Sequence, residues 1–442
     1  MLFDKYSLTI DRIDPIKYHG RVTAVHGLSV TSHGPLVTVG EVCQIEISSQ
    51  DRCVWAEVVS VHDQRVELMP FSDLEGLEVG ARVVGSGGTL SVPVSEKLLG
   101  RVLDCMGRPL DDKGFAGARD WYSIFNDPPS VLERAPIRER IVTGIRSIDG
   151  MTPIGKGQRV GIFSGSGVGK STLLGMVARN TSAEVNVIAL IGERGREVRE
   201  FIENDLGPEG LSRSVVIVAQ ANAPPISRLR GAFVATAIAE YFRDQGKDVM
   251  LLFDSVTRFA RAQREIGLAA GESPATRGYT PSVFAILPRL LERCGTAKTG
   301  SITGFYSVLV EGDDLDEPVS DAVRGILDGH IVLSRRLAEA YHFPAVDVLG
   351  SISRLQNMVT TAEEQSVAGE VRRLMAAHAE AEDLINVGAY VAGSSESIDR
   401  AIEKIDDIRE FLRQEIDEKA PLEETISRMK EIAGLDEGGS ES

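Results

Sequence analysis

Ser164-Gly165-Ser166-Gly167-Val168-Gly169-Lys170-Ser171 have the types and order needed to hold a chain of phosphates. An apolar run, Val160 to Phe163, precedes them, and a helix-like run beginning at Thr172 follows. Small residues let backbone N–H groups curl around an anion, and a helix N-terminus adds unpaired N–H groups and a favourable dipole. Lys170 supplies a point charge for the β- and γ-phosphates of a nucleotide, and the Ser171 hydroxyl suits Mg²⁺. One residue departs from the P-loop pattern: Ser164 stands where a glycine is usual. A serine is tolerated there if its φ is negative, because Gly165, Gly167 and Gly169 remain for the tight bends.

Carboxylates suited to hydrolysis follow. Asp254 closes the apolar run Val249 to Phe253, so it should stand at a buried strand end beside the loop. An acid there can hold Mg²⁺, directly or through water; its alternative role is capping the next helix. Glu193 follows the run Val185 to Ile191 in a charged stretch that also holds Glu197 and Glu200. Hydrolysis needs one carboxylate to orient or deprotonate the attacking water, and spacing alone does not choose among these three. Arg194, Arg258 and Arg354 are candidates for stabilising phosphate charge, and composition does not rank them. Phe343 and Tyr390 are candidates for stacking on a base, though aromatic residues more often belong to a core.

Three kinds of pattern must position these residues. From about 18 to 94, short β-branched or alternating runs (Val22–Val25, Cys43–Ile47, Val54–Val59) are punctuated by glycine, which predicts a small β-barrel. From about 95 to 360, near-continuous apolar runs alternate with helical patterns such as Leu229–Phe242, read as amphipathic. That alternation predicts a mostly parallel sheet covered on both faces. From 361 to about 435, Ile398, Ile402, Ile405, Leu412 and Ile416 recur at helical spacing, and Pro421 is expected in the first turn of a further helix. Residues 436–442 are expected to be disordered. Before the barrel, residues 1–17 carry Leu2, Phe3, Tyr6, Leu8, Ile10 and Ile13, which suit either a loose end or first strand, or a docking segment.

The 442 residues suit two or three domains. No apolar run reaches membrane-spanning length, and the N-terminus lacks the basic-then-apolar order of a signal peptide. The four cysteines are scattered singly without metal-ligand spacing, fit a reduced compartment, and are expected to be small core residues. The formal net charge of −17 argues against nucleic acid as the main partner.

Taken with their neighbours, these motifs resemble the flagellum-specific ATPases of bacterial flagellar type III protein export, relatives of the injectisome ATPases and the rotary ATP synthase catalytic subunit. The resemblance spans about residues 18 to 416. It rests on Leu99–Asp104 with Gly107–Leu110, Thr143–Gly150, Gly155–Arg159 and Gly192–Val198, then on Asp254–Arg258, Pro281–Arg289, Ile326–Arg335 and Ser351–Arg354. It implies a β-barrel N-domain, a RecA-like P-loop α/β domain and a helical C-domain. It also implies an Mg²⁺-dependent ATP hydrolase, with ATP and Mg²⁺ as ligands. In that family Ser164 to Thr172, Phe343 and Tyr390 correspond to nucleotide-binding positions, and Ser171 and Asp254 to metal positions. Glu193 matches the glutamate that activates water. Lys170, Arg194 and Arg258 match groups near the γ-phosphate, and Arg354 matches an arginine given to the neighbouring subunit's site. The family further implies a homohexamer with interfacial sites, a stator-like regulator at residues 1–17, and a central stalk protein. It implies an export gate and chaperone–cargo complexes as partners, no nucleic acid, and a cytoplasmic position at the face of the export apparatus. Gly271–Tyr279 resembles the flagellar form of its loop, and Ser164 resembles the export branch more than the synthase subunit. An injectisome ATPase, a synthase subunit and an RNA translocase are the rival readings.

Overall fold

The computed structural model describes residues 18–47, 52–114, 117, 120–310 and 317–434. The expected docking segment 1–17 and the tail 436–442 lie outside them.

Six strands close a barrel: β1 (His19–His26), β2 (Ser29–His33), β3 (Glu41–Ile47), β4 (Arg52–His62), β5 (Arg65–Pro70) and β6 (Arg82–Thr89). They pair in the order β1-β2-β5-β4-β3-β6 and leave no open edge. Alternation sends Val22, Val30, Ile45, Val58 and Leu68 inward as one apolar cluster. The next strand, Ser91–Val94, leaves the barrel and pairs with Asp120–Ser123.

The central sheet is nine-stranded. Its main strands are β7 (Arg101–Asp104), β8 (Arg159–Ser164), β9 (Val185–Ile191), β10 (Ser214–Ala219), β11 (Asp248–Asp254), β12 (Ser301–Leu309), β13 (Gly329–Leu333) and β14 (Val346–Ser353). They run in the order β14-β13-β8-β12-β11-β9-β10-β7, with Gly295–Thr296 added beside β12. The eight strands are parallel but for β14, which is antiparallel to β13. Every residue of β9 and β10 is buried, which is why they read as near-continuous apolar runs rather than alternating ones.

Helix α1 (Lys170–Asn180) follows β8, α2 (Pro225–Asp244) lies on the sheet, and α3 (Val256–Ala269) follows β11. The amphipathic reading of Leu229–Phe242 fails. Alanines, Phe233, Ile238, Phe242, and even Glu240 and Arg243, are buried around the helix, because the sheet covers one side while α3 and the outer strand pair cover another. Three helices end the chain: α4 (Ala362–Asn386), α5 (Glu396–Leu412) and α6 (Leu422–Ala433). Two expectations there need correction. The helix stops at Leu412, so Ile416 lies beyond it, and Ile402 is partly exposed while Ala401, Ile408 and Phe411 pack inward. Pro421 is the N-cap of α6 rather than a first-turn residue, with an extended backbone at ψ 143°. Cys43 and Cys294 are buried, but Cys53 is exposed at the start of β4, where the side-chain alternation turns it outward.

Polar contacts fix the three parts together. Arg230 of α2 donates to Glu57 of β4 at 2.7 Å. Gln414, just after α5, donates to the Gly144 carbonyl at 2.8 Å, and Arg372 of α4 donates to the Met151 carbonyl at 2.7 Å.

Candidate active site

The parallel sheet brings its strand ends to one edge. Ser164 is paired with Leu309 and Leu333, and Leu190 with Asp254, so the segments after β8, β9 and β11 emerge side by side. This is the edge at which open α/β sheets hold ligands.

Ser164 is the last residue of β8 and is not among the residues with positive φ. The chain then turns through Gly167 at φ 77° and Gly169 at φ 85°, a region that costs any side chain but glycine's. Gly165 and Val168 are buried, whereas Ser166, Gly167 and Ser171 are exposed. Gly169 caps α1, and the Leu173 N–H donates to its carbonyl at 3.0 Å. The N–H groups before Leu173 belong to the unpaired first turn of the helix and face the loop opening. The Thr172 hydroxyl bonds Asp205. The buried Ser164 hydroxyl has no hydrogen-bond partner among the described residues. An unsatisfied buried oxygen under a ring of free N–H groups fits a site completed by a polar ligand.

Four charged groups cluster beneath. Lys170 is ion-paired with Asp254 Oδ1, which also accepts from Ser307 Oγ at 2.7 Å. Glu193 follows β9, and Arg258 from the first turn of α3 meets it, with Nε 3.0 Å from Oε1. That atom pair makes no hydrogen bond, so Oε1 and Nε are both left without one, while Arg258 Nη2 donates to Glu193 Oε2 at 3.4 Å. Burial, and secondarily the charge of Asp254, push the Glu193 carboxyl up to about 7. Lys170 and Arg258 oppose that rise. Gly192 makes the Arg258 approach possible. At φ 75°, a Cβ on it would stand 2.8 Å from Arg258 Cδ and 2.9 Å from its Cβ.

Of the three carboxylates that spacing left open, Glu193 is the buried one. Glu197 pairs with Arg194 at 3.1 Å, and Glu200 with Arg196 at 2.7 Å, on the solvated side of a short helix. The Arg194 side chain is 76 % exposed and turned to Glu197. Arg354 is elsewhere. Its N–H donates to the Asp328 carbonyl at 3.0 Å, at the start of β8. The length of that strand, about 17 Å at about 3.3 Å per residue, separates it from its own loop. The Phe343 ring does reach the loop. A Cβ on Gly169 would lie 3.4 Å from two of its ring carbons. Tyr390 is not brought there by any bond described: its hydroxyl contacts Asp399 at 2.9 Å and the Ser395 carbonyl within the C-terminal helices. The aromatic that meets Phe343 is Tyr341, at 5.6 Å between ring centres, which sequence reasoning missed although it lies two residues away.

A strand, a left-handed glycine loop and a helix N-terminus, with acids on the adjoining strand ends, define a P-loop nucleotide-binding site on a RecA-like sheet. Family models agree along the chain. Residues 144–353 match the nucleotide-binding domain of the ATP synthase alpha/beta family, 22–87 its beta-barrel domain, and 360–431 the type III secretion EscN ATPase C-terminal domain. The chain is 55 % identical over 434 residues to a flagellum-specific ATP synthase of Treponema pallidum, covering 98 % of this chain and 97 % of that one. It is 52 % identical over 429 residues to the protein of that name from Bacillus subtilis, covering 97 % and 98 %. Its fold matches the assembled ATPase EscN, solved with its central stalk EscO from the enteropathogenic E. coli type III secretion system. That match has a TM-score of 0.87 at 42 % identity, over 94 % of this chain and 100 % of that one. The chain therefore belongs to the ATP synthase alpha/beta family, among its flagellum-specific and type III secretion ATPases.

Among the described residues, no helix is long and apolar enough to cross a membrane, and no group of three or more His, Cys, Asp or Glu side chains could hold a metal.

Proposed function

We propose that the chain is an Mg²⁺-dependent ATP hydrolase that energises flagellar type III protein export, working as a ring with sites between subunits. The observation that carries the catalytic part is Glu193. It is a buried, incompletely bonded carboxylate beside the loop, and its pKa is raised towards neutrality. Such a group orients a water and takes on its proton as the water attacks.

The other roles follow from charge. Lys170 is held by Asp254 until phosphate arrives. An incoming β,γ-phosphate competes for the ammonium and frees the Asp254 carboxylate. Ser171 and Asp254 would then hold Mg²⁺, a donor set that suits an ion keeping several waters and phosphate oxygens. The metal, when bound, neutralises charge on the β- and γ-phosphates. The loop N–H groups from Gly165 to Thr172 cradle the phosphates, with Ser164 and Ser166 as flanking hydroxyls. Phe343 covers one face of the base. Arg258 keeps Glu193 placed, and Arg194 swings from Glu197 to the phosphates. Arg354 acts on a neighbouring copy's phosphate, because its own loop is a strand length away. Tyr390, whose hydroxyl is held by Asp399, would approach the base from the helical domain.

Assembly as a homohexamer is supported by the assembled state of the EscN relative, and a central stalk partner by EscO in that structure. A stator-like regulator at residues 1–17, an export gate and chaperone–cargo complexes complete the reading, at the cytoplasmic face of the export apparatus. E193Q tests it. The variant should bind Mg·ATP as the parent does while turnover falls by about 10²- to 10⁴-fold. Unchanged turnover would remove Glu193 from this role.

A further inference from the structure

Tyr341 breaks a local rule. It ends the short helix Arg335–Glu339 in the left-handed region at φ 56°. The His342 N–H reaches back to the Leu337 carbonyl at 2.9 Å and the Tyr341 N–H to the Ala338 carbonyl at 3.0 Å. This bond pattern closes many helices, and its left-handed position belongs to glycine, or sometimes asparagine. A bulky residue there is strained, and burial does not offset the strain, because Tyr341 is 84 % exposed. Its ring stands at 84° to that of Phe343, with centroids 5.6 Å apart. Phe343 in turn lies against Gly169 of the phosphate loop. The two rings thus form an open right-angled corner beside the place where the phosphates end. A flat aromatic ligand stacked on Phe343 would meet the Tyr341 ring along its edge.

We propose that Tyr341 is a positioning residue for the nucleotide base. With Phe343 it makes a two-walled aromatic seat for a purine whose phosphates occupy the glycine loop. This rests on the reading of that loop as an ATP site. The left-handed backbone angle directs this otherwise unburied ring toward Phe343 before the base arrives.

Calorimetric titrations test it, using Mg·ADP and, as a probe lacking a base, magnesium tripolyphosphate. Y341G should weaken Mg·ADP binding by about three- to tenfold and leave tripolyphosphate binding unchanged. Y341F, which keeps the ring, should bind Mg·ADP like the parent. Glycine suits φ 56°, so the nucleotide-free Y341G protein should melt no lower than the parent. Equal Mg·ADP affinity in Y341G, or an equal loss for tripolyphosphate, would overturn the proposal. Failure of the parent to bind either ligand would overturn the ATP reading of the loop as well, and so separates the two.

Discussion

Two glutamate–arginine pairs of the central domain differ in how completely they are bonded. Arg293 and Glu240 are each 1 % exposed. Arg293 donates from Nε to Glu240 Oε1 at 2.8 Å and from a terminal nitrogen to Oε2 at 2.6 Å. Its other nitrogen donates to the Ile124 carbonyl, and Asn126 donates to Glu240 at 2.8 Å. Glu193 and Arg258 meet more loosely, with Oε1 and Nε unsatisfied and the carboxyl pushed up to about 7. The first pair is saturated, so it tethers α2 to the segment after Leu291 and has no capacity left for a ligand. The second keeps an unused lone pair beside an open loop. Burial alone does not mark a functional acid; burial with an unmet bond does.

The comparison is sharpened first by an arginine outside both pairs. R354A should lower turnover by about 10³- to 10⁵-fold while leaving Mg·ATP binding nearly intact. Mixing R354A with E193Q subunits should restore part of the activity, since one copy supplies the arginine and another the glutamate. No recovery would count against a shared site.

Within the pairs, E193Q and E240A should separate function from folding. E193Q costs turnover, as above. E240A strands the Arg293 charge and should destabilise the fold by about 3–5 kcal/mol, read by denaturant titration. At a temperature where E240A is still folded, its turnover should stay within about twofold of the parent. A large turnover defect there would mean that both pairs serve the site.

A smaller effect is expected from G192A. The added methyl meets Arg258 at 2.8 Å, in a left-handed backbone, and should destabilise by about 1–3 kcal/mol and displace Arg258 from Glu193. Stability with normal turnover would show that Arg258 does not place Glu193.

The least effect concerns pH. The Glu193 carboxyl is raised from 4.5 to about 7 in the folded chain. The folded state therefore holds its proton more tightly than the unfolded state. Both are protonated below about 4.5, and the cost of burying the charge grows as pH rises to about 7. The nucleotide-free parent should lose a few degrees of melting temperature relative to E193Q over that interval, with no difference near pH 4.5. A parallel pH dependence of the two proteins would remove the raised carboxyl from Glu193.

Much of the molecule was legible in the residue order. Buried parallel strands announce themselves as near-continuous apolar runs, and the glycine loop between such a strand and a helix has few other uses. The amphipathic reading of Leu229–Phe242 failed because periodicity cannot report that a helix is covered on more than one side. Ile416 kept the helical spacing after the helix had ended. Tyr341 was passed over because its importance lies in a backbone angle and a ring contact, neither of which a residue type reveals.

Local chemistry written in the order of residues was enough for the class of ligand: left-handed glycines, a lysine and a hydroxyl at a helix start hold phosphate wherever that string folds so. Choosing among Glu193, Glu197 and Glu200 was beyond it, because the three carboxylates are chemically alike along the chain. Tertiary structure separates them by removing water from one alone and leaving its oxygen short of a bond. It also carries Arg354 to the opposite end of the sheet, since strand direction, which no single segment encodes, decides which ends meet.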